Sequence, residues 1–146
     1  MYEQSKTAVR AQRRAAARAH NSDIHGAPEA APRLASTHVA LLAGHLAALL
    51  SATEEVRQST EEPGQQAELD AALGELRARL AQLAPAGTTT PQAVGGAGSR
   101  SLAPAHEHAH ALAGRLLVVA AAQQDTTTAV LACRRMDAHA AARSAL

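Results

Sequence analysis

Phe and Trp are absent from this chain, and Tyr2 and Ile24 are its only tyrosine and isoleucine. Strands of sandwiches and barrels rely on aromatic and β-branched side chains that pack well on a pleated surface, so a β-fold lacks its usual material here. Leu, Val and Ala must do the burying. Ala has the highest helix propensity but contributes little area, whereas a fully buried Leu or Val is worth about 1.5–3 kcal/mol. The chain is therefore expected to be all-α. Its 146 residues suit one domain. The formal charge of +1 lacks the imbalance that accompanies disorder.

Periodicity predicts an up-down helical bundle of three core helices plus a peripheral basic N-terminal helix. In the first helix, 1–19, Lys6, Arg10, Arg13, Arg14 and Arg18 fall on one side and Ala8, Ala11, Ala15 and Ala19 on the other. Asn21, Ser22, Gly26, Pro28 and Pro32 make 20–33 a linker. From Leu34 to about Ser59, the positions Val39, Leu42, Leu46, Leu49, Thr53 and Val56 alternate spacings of three and four. Leu34, His38, Leu41 and His45 widen that stripe, which suits a helix touching two neighbours. Glu61-Glu62-Pro63-Gly64 ends the helix, and the short turn implies an antiparallel successor. Leu69, Leu73, Leu76, Leu80 and Leu83 then form an uninterrupted packing seam, with Glu75 and Arg79 spaced as an i,i+4 ion pair and Pro85 as the stop.

The bundle, 34–143, is expected to contain a flexible loop at about 84–103, rich in Thr, Pro and Gly. The last helix starts near Pro104 and runs towards Arg143, burying Ala109, Leu112, Leu116, Val119, Ala120, Gln123, Val130 and Leu131. Cap-forming and β-branched residues from Gln123 to Thr128 mark a kink or a break within it. The apolar run Leu116 to Ala122 falls far short of the ~20 residues that span a bilayer. Met1-Tyr2-Glu3 leads into a basic, Ala-rich stretch and not the apolar block of a secretory signal. Cys133 is alone, which excludes an intramolecular disulfide and a thiolate metal cluster. These features predict a cytoplasmic chain without a transmembrane segment.

His106-Glu107-His108-Ala109-His110 matches H-E-x-x-H, which sets two zinc ligands one turn apart with a Glu as general base. Such peptidases place the motif beside a sheet and take a further ligand from downstream. Here no strand is predicted, Gly114 is out of register for the extended motif, and the next histidine is His139. A second use of the histidines follows from topology. If the helices from Leu34, Gln65 and Pro104 run up, down and up, His38 approaches His106 and His110 at one pole. Three neutral imidazoles there would suit zinc or another transition metal. The alternative is that these histidines are partly buried edge residues and a solvated first turn.

Lys6, Arg10, Arg13, Arg14 and Arg18 are candidate nucleic-acid contacts, since cations on one face neutralise phosphates in a salt-sensitive, sequence-independent way. An ordinary solvated face is the alternative. Cys133 precedes Arg134 and Arg135, but no His and acid arrangement is visible beside it, so it is expected to be a small buried hydrophobe. Gly95-Gly96-Ala97-Gly98 lacks the Lys and Ser/Thr of a phosphate loop.

Arg13-Arg14-Ala15-Ala16-Ala17-Arg18, Ala140-Ala141-Ala142-Arg143, and one lysine against thirteen arginines look like a high-GC actinobacterial reading frame. In size and character the chain resembles the plasmid-spread accessory proteins of streptomycete conjugative plasmids. That resemblance, carried by composition, implies a non-enzymatic helper in moving plasmid DNA beside a membrane-bound transfer apparatus. The leading functional expectation is therefore a helical interaction protein with a protein partner, nucleic acid at its N-terminal helix, a homo-oligomer among its forms and no catalysis or cofactor. A histidine-based metal-binding bundle and a zinc peptidase are the alternatives.

Overall fold

The computed structural model describes residues 30–84 and 101–146. The predicted basic helix and most of the predicted linker and loop lie outside the described residues. Two compact units are distinguished, Met1–Ser36 and Thr37–Leu146, and the packing below is that of the second. All regular structure among the described residues is helical: α1 (Ala30–Ser59), α2 (Pro63–Leu83), α3 (Leu102–Ala122) and α4 (Thr126–Ser144).

α1 buries the predicted stripe from Leu42 through Leu46, Leu49 and Thr53 to Val56, while Val39 at its start is exposed. The helix ends with Thr60 Oγ1 donating to the Val56 carbonyl at 2.8 Å. α2 begins with Pro63 in the first turn, where a missing N–H costs nothing. The Glu62 carboxylate caps it, accepting from the Gly64 and Gln65 amides at 3.1 and 2.6 Å. Leu69, Leu73 and Leu76 of the leucine seam are buried, and Leu80 and Leu83 are half-buried against the core. Arg57 bonds Asp70 at 2.8 and 3.1 Å, and Arg77 bonds Glu54 at 2.6 Å. Residue numbers rising on α1 thus meet numbers falling on α2, so the pair is antiparallel, as the turn predicts. Arg79 does not join Glu75 as expected. Its guanidinium reaches Asp125 at 2.6 Å, Thr128 Oγ1 at 2.8 Å and Gln82 at 2.8 Å. A partly buried carboxylate offers a stronger partner than an exposed one.

The final predicted helix is two helices. The Asp125 amide bonds the Ala120 carbonyl at 2.9 Å and the Gln124 amide bonds the Ala121 carbonyl at 3.0 Å, with Gln124 left-handed at φ 57°. That is the crossed pair of bonds that closes a helix C-terminus. Asp125 restarts the chain, its carboxylate accepting from the Thr128 amide at 3.0 Å and from the Thr128 hydroxyl at 2.8 Å. α4 therefore folds back along α3, and the described residues carry a four-helix body in place of three core helices. Val130, expected in the core, is 45% exposed because the new turn resets the buried face of α4.

Two clusters fix the topology. Ala52, Val56 and Leu69 pack with Ala105 and Ala109, placing the start of α3 at the end of α1. Leu42, Leu46, Leu49 and Leu76 pack with Ala113, Leu116, Ala120, Leu131 and Ala132. α3 is therefore antiparallel to α1 and parallel to α2, so Leu83 and Leu102 lie at opposite ends of the bundle. The order is up, down, down, up, not the alternation expected from neighbouring elements.

Among the described residues Leu34–Ser59 of α1 is long and apolar enough to cross a membrane by length and composition alone, a test that a core helix also passes. Between Arg33 and Glu54 there is no charged residue.

Candidate functional site

The histidine pole exists, with a different membership from the one expected. His106 and His110 lie one turn apart on the side of α3 that faces α4, where the reversal at Gln124 delivers His139. His106 and His139 are buried at 4% and 1% exposure, and their Nδ1 atoms are 3.0 Å apart with ring planes tilted by 57°. Between two neutral imidazoles such a contact is an N–H···N hydrogen bond, so one ring carries its proton on Nδ1 and the other on Nε2. His110 Nδ1 lies 3.0 Å from the Met136 carbonyl, which can only accept, so this nitrogen is the donor. His139 Nε2 and Arg135 Nε are buried without a protein partner.

His38 is elsewhere. Its carbonyl accepts from the Gln123 side chain at 3.0 Å, at the opposite end of α3. Seventeen residues separate Gln123 from His106, roughly 25 Å at the helical rise. The expected His38, His106 and His110 cluster fails because α3 enters the bundle from the other pole. Among the described residues no group of three or more His, Cys, Asp or Glu is arranged to hold a metal ion. Lys6, Arg10, Arg13, Arg14 and Arg18 lie outside the described residues.

The electrostatics keep the buried pair neutral. Burial pushes His139 down to about 4, and the nearby Arg135 guanidinium acts in the same direction, as would a proton on the neighbouring His106 ring. Burial also lowers His106, with Arg143 adding to the effect. Near neutral pH both rings are uncharged, serving as donor and acceptor to each other. The peptidase arrangement would need Glu107 beside the same pole, but Glu107 is exposed while His106 points into the body.

Sequence reasoning missed His139. Reading Gln123 to Asp125 as a reversal would have found it, since folding the helix back there brings residues about fifteen before and after the turn side by side. Cys133 is exposed, contrary to the expected buried position, because the same reversal turns it away from α3. A shallow groove of about 510 Å³ between α2 and α4 is lined by Glu75, Arg79, Gln82, Thr126, Val130 and Arg134. It sits at the far end of α4 from His139.

A second feature is the exposed apolar side chains that flank the buried stripe of α1: Leu34 and Leu41 at 60% and 50% on one flank, and Val39 at 40% on the other. They belong to the same uncharged stretch whose other side forms the core, so the apolar arc is wider than the bundle covers. The chain matches no family model, no curated protein and no solved structure among those compared.

Proposed function

We propose that this chain is a non-enzymatic helical interaction protein that docks through the first half of α1. The observation that carries the reading is the exposure of Leu34 and Leu41 on a stretch without charge. Leu34 and Leu41 share one face of α1, about 20° apart around the helix, and large apolar side chains there stay in water at a cost that a partner's surface removes. The histidine pair supports the non-catalytic part of the reading: its two Nδ1 atoms are turned on each other inside the α3–α4 hairpin.

The compositional resemblance to plasmid-spread proteins extends the proposal to an accessory role in plasmid DNA transfer, with Lys6, Arg10, Arg13, Arg14 and Arg18 holding phosphates. Leu41→Glu places a charge in the centre of the face without disturbing a core position. As bait, the full chain should capture a protein from its own cells that the Leu41→Glu chain loses, with helical circular dichroism equal in both. Equal capture would refute the docking face. Deleting residues 1–19 should abolish retention on DNA and flatten its salt dependence, since each neutralised phosphate contributes ~0.9 to the logarithmic slope. Unchanged retention would refute the DNA arm.

A further inference from the structure

α4 is anchored unevenly along its length. Thr128, Leu131 and Ala132 bury its first half, Leu131 and Ala132 belong to the larger cluster, and Arg79 pairs with Asp125 at 2.6 Å. Met136 still packs on that cluster. Beyond it the only buried side chain is His139, and the apolar residues from 137 to 146 are alanines and the exposed Leu146. The smaller cluster at this pole, Ala52, Val56, Leu69, Ala105 and Ala109, takes no side chain from α4. About two turns of helix are therefore held to α3 by the contact of His139 with His106 and, just before them, by His110 donating to the Met136 carbonyl. Leucine would hold that position at any pH, whereas an imidazole is charged by mild acid.

We infer that residues 137–146 form an acid-released arm, which leaves α3 when His139 and His106 take up protons while the rest of the bundle stays folded. The closed site has no means of holding the charge. His106 and His110 face His139 from α3, Arg135 lies beside it on α4, and Arg143 acts on His106. α1 and α2 bring Ala52, Val56 and Leu69 to this pole, none of which titrates. No carboxylate among the described residues acts on either ring. His139 Nε2 and Arg135 Nε are already buried without a protein partner, so no hydrogen bond there disperses an added charge. A proton on each ring would aim two N–H groups at one another across 3.0 Å with no acceptor between them.

Opening gives both rings water and uncovers one imidazole and a row of alanines, far less than unfolding the leucine core exposes. The turn end of α4 resists the same acid. Burial works against the Asp125 carboxylate, but the bonds from Thr128 and Arg79 outweigh that and hold it below its usual range, so its ion pair persists.

Hydrogen exchange of the full chain, read by mass spectrometry at pH 7 and pH 5 and divided by intrinsic exchange rates, tests this. Burial holds His139 at about 4 in the closed arm, against 6.5 in water, so the open form binds the proton more readily and opening gains as pH falls between those values. From His139 alone, protection over residues 137–146 should fall roughly 20-fold between pH 7 and pH 5, while residues 42–56 and 69–76 keep theirs. The His139→Leu chain should keep the arm protected at both pH values. In the unsubstituted chain, the ring resonances of His106 and His139 should titrate with the midpoint of the arm's loss of protection. An equal loss over all four helices overturns the arm in favour of general acid unfolding. The same pH-dependent loss in the His139→Leu chain overturns the histidine as the trigger, and rings that titrate while the arm stays protected overturn the release.

Discussion

At the residue scale, His139 couples stability to pH. Its pKa falls from an ordinary value near 6.5 to about 4 on folding, chiefly through burial. Between those values the unfolded chain binds the proton and the folded chain does not, so stability rises with pH across that window and is lost as pH falls through it. The lowered pKa of His106 acts in the same direction. Urea unfolding at pH 7, 5.5 and 4 should show a loss on the order of 3 kcal/mol attributable to His139, from 1.36 kcal/mol per pH unit over the window. His139→Leu should flatten the profile over that range; an unchanged profile would show that the burial of this ring does not govern its protonation. Asp125 shows the opposite balance. Burial opposes its ionisation, but the Thr128 amide and hydroxyl and the Arg79 guanidinium outweigh that and hold the carboxyl below its ordinary value.

At the scale of elements, the reversal between α3 and α4 decides the most. Gln124 adopts φ 57° there, a conformation that costs a residue with a Cβ roughly 1–2 kcal/mol and glycine almost nothing. Gln124→Gly should therefore raise the unfolding free energy by about 0.5–1 kcal/mol after the greater freedom of glycine in the unfolded chain is subtracted. A denaturation midpoint that falls would mean that the Gln124 side chain contributes more than its backbone costs. The helical segments were legible because a 3.6-residue period in Leu and Val survives any tertiary arrangement. The turn was legible only as an irregularity, since Gln123-Gln124-Asp125 contains no Gly or Pro to announce it. Its capping chemistry was nonetheless present in Asp125 and Thr128, whose spacing is that of an N-cap and its third helical residue.

For the whole molecule, Leu76 is the point where α2 enters the larger cluster with Leu42, Leu46, Leu49, Leu116 and Ala120. It is fully buried, so Leu76→Ala should cost about 2–5 kcal/mol, read from chemical denaturation. A loss below 1 kcal/mol would show that the site collapses around the deletion. With no Phe or Trp available, the body depends on a few such leucines and on alanines that let the helices approach closely. Ala105, Ala109, Ala113 and Ala120 form the inner line of α3. Leu34 and Leu41 of α1 remain exposed beside that core.

The amino-acid sequence alone determined the helical class, the leucine seam of α2, its antiparallel pairing with α1 and the buried stripe from Leu42 to Val56. Each of these follows from local period and a short connection. Tertiary structure decided which way α3 enters, and with it which histidines meet. The reason is physical: a connection of roughly twenty residues is long enough either to turn locally or to cross a helix of similar length, and its closure entropy differs little between the two. Burial of Ala105 and Ala109 against Val56 and Leu69, and of Leu116 against Leu42 to Leu49, selected the crossing. His38 was left at the opposite pole, and His139 took the place beside His106.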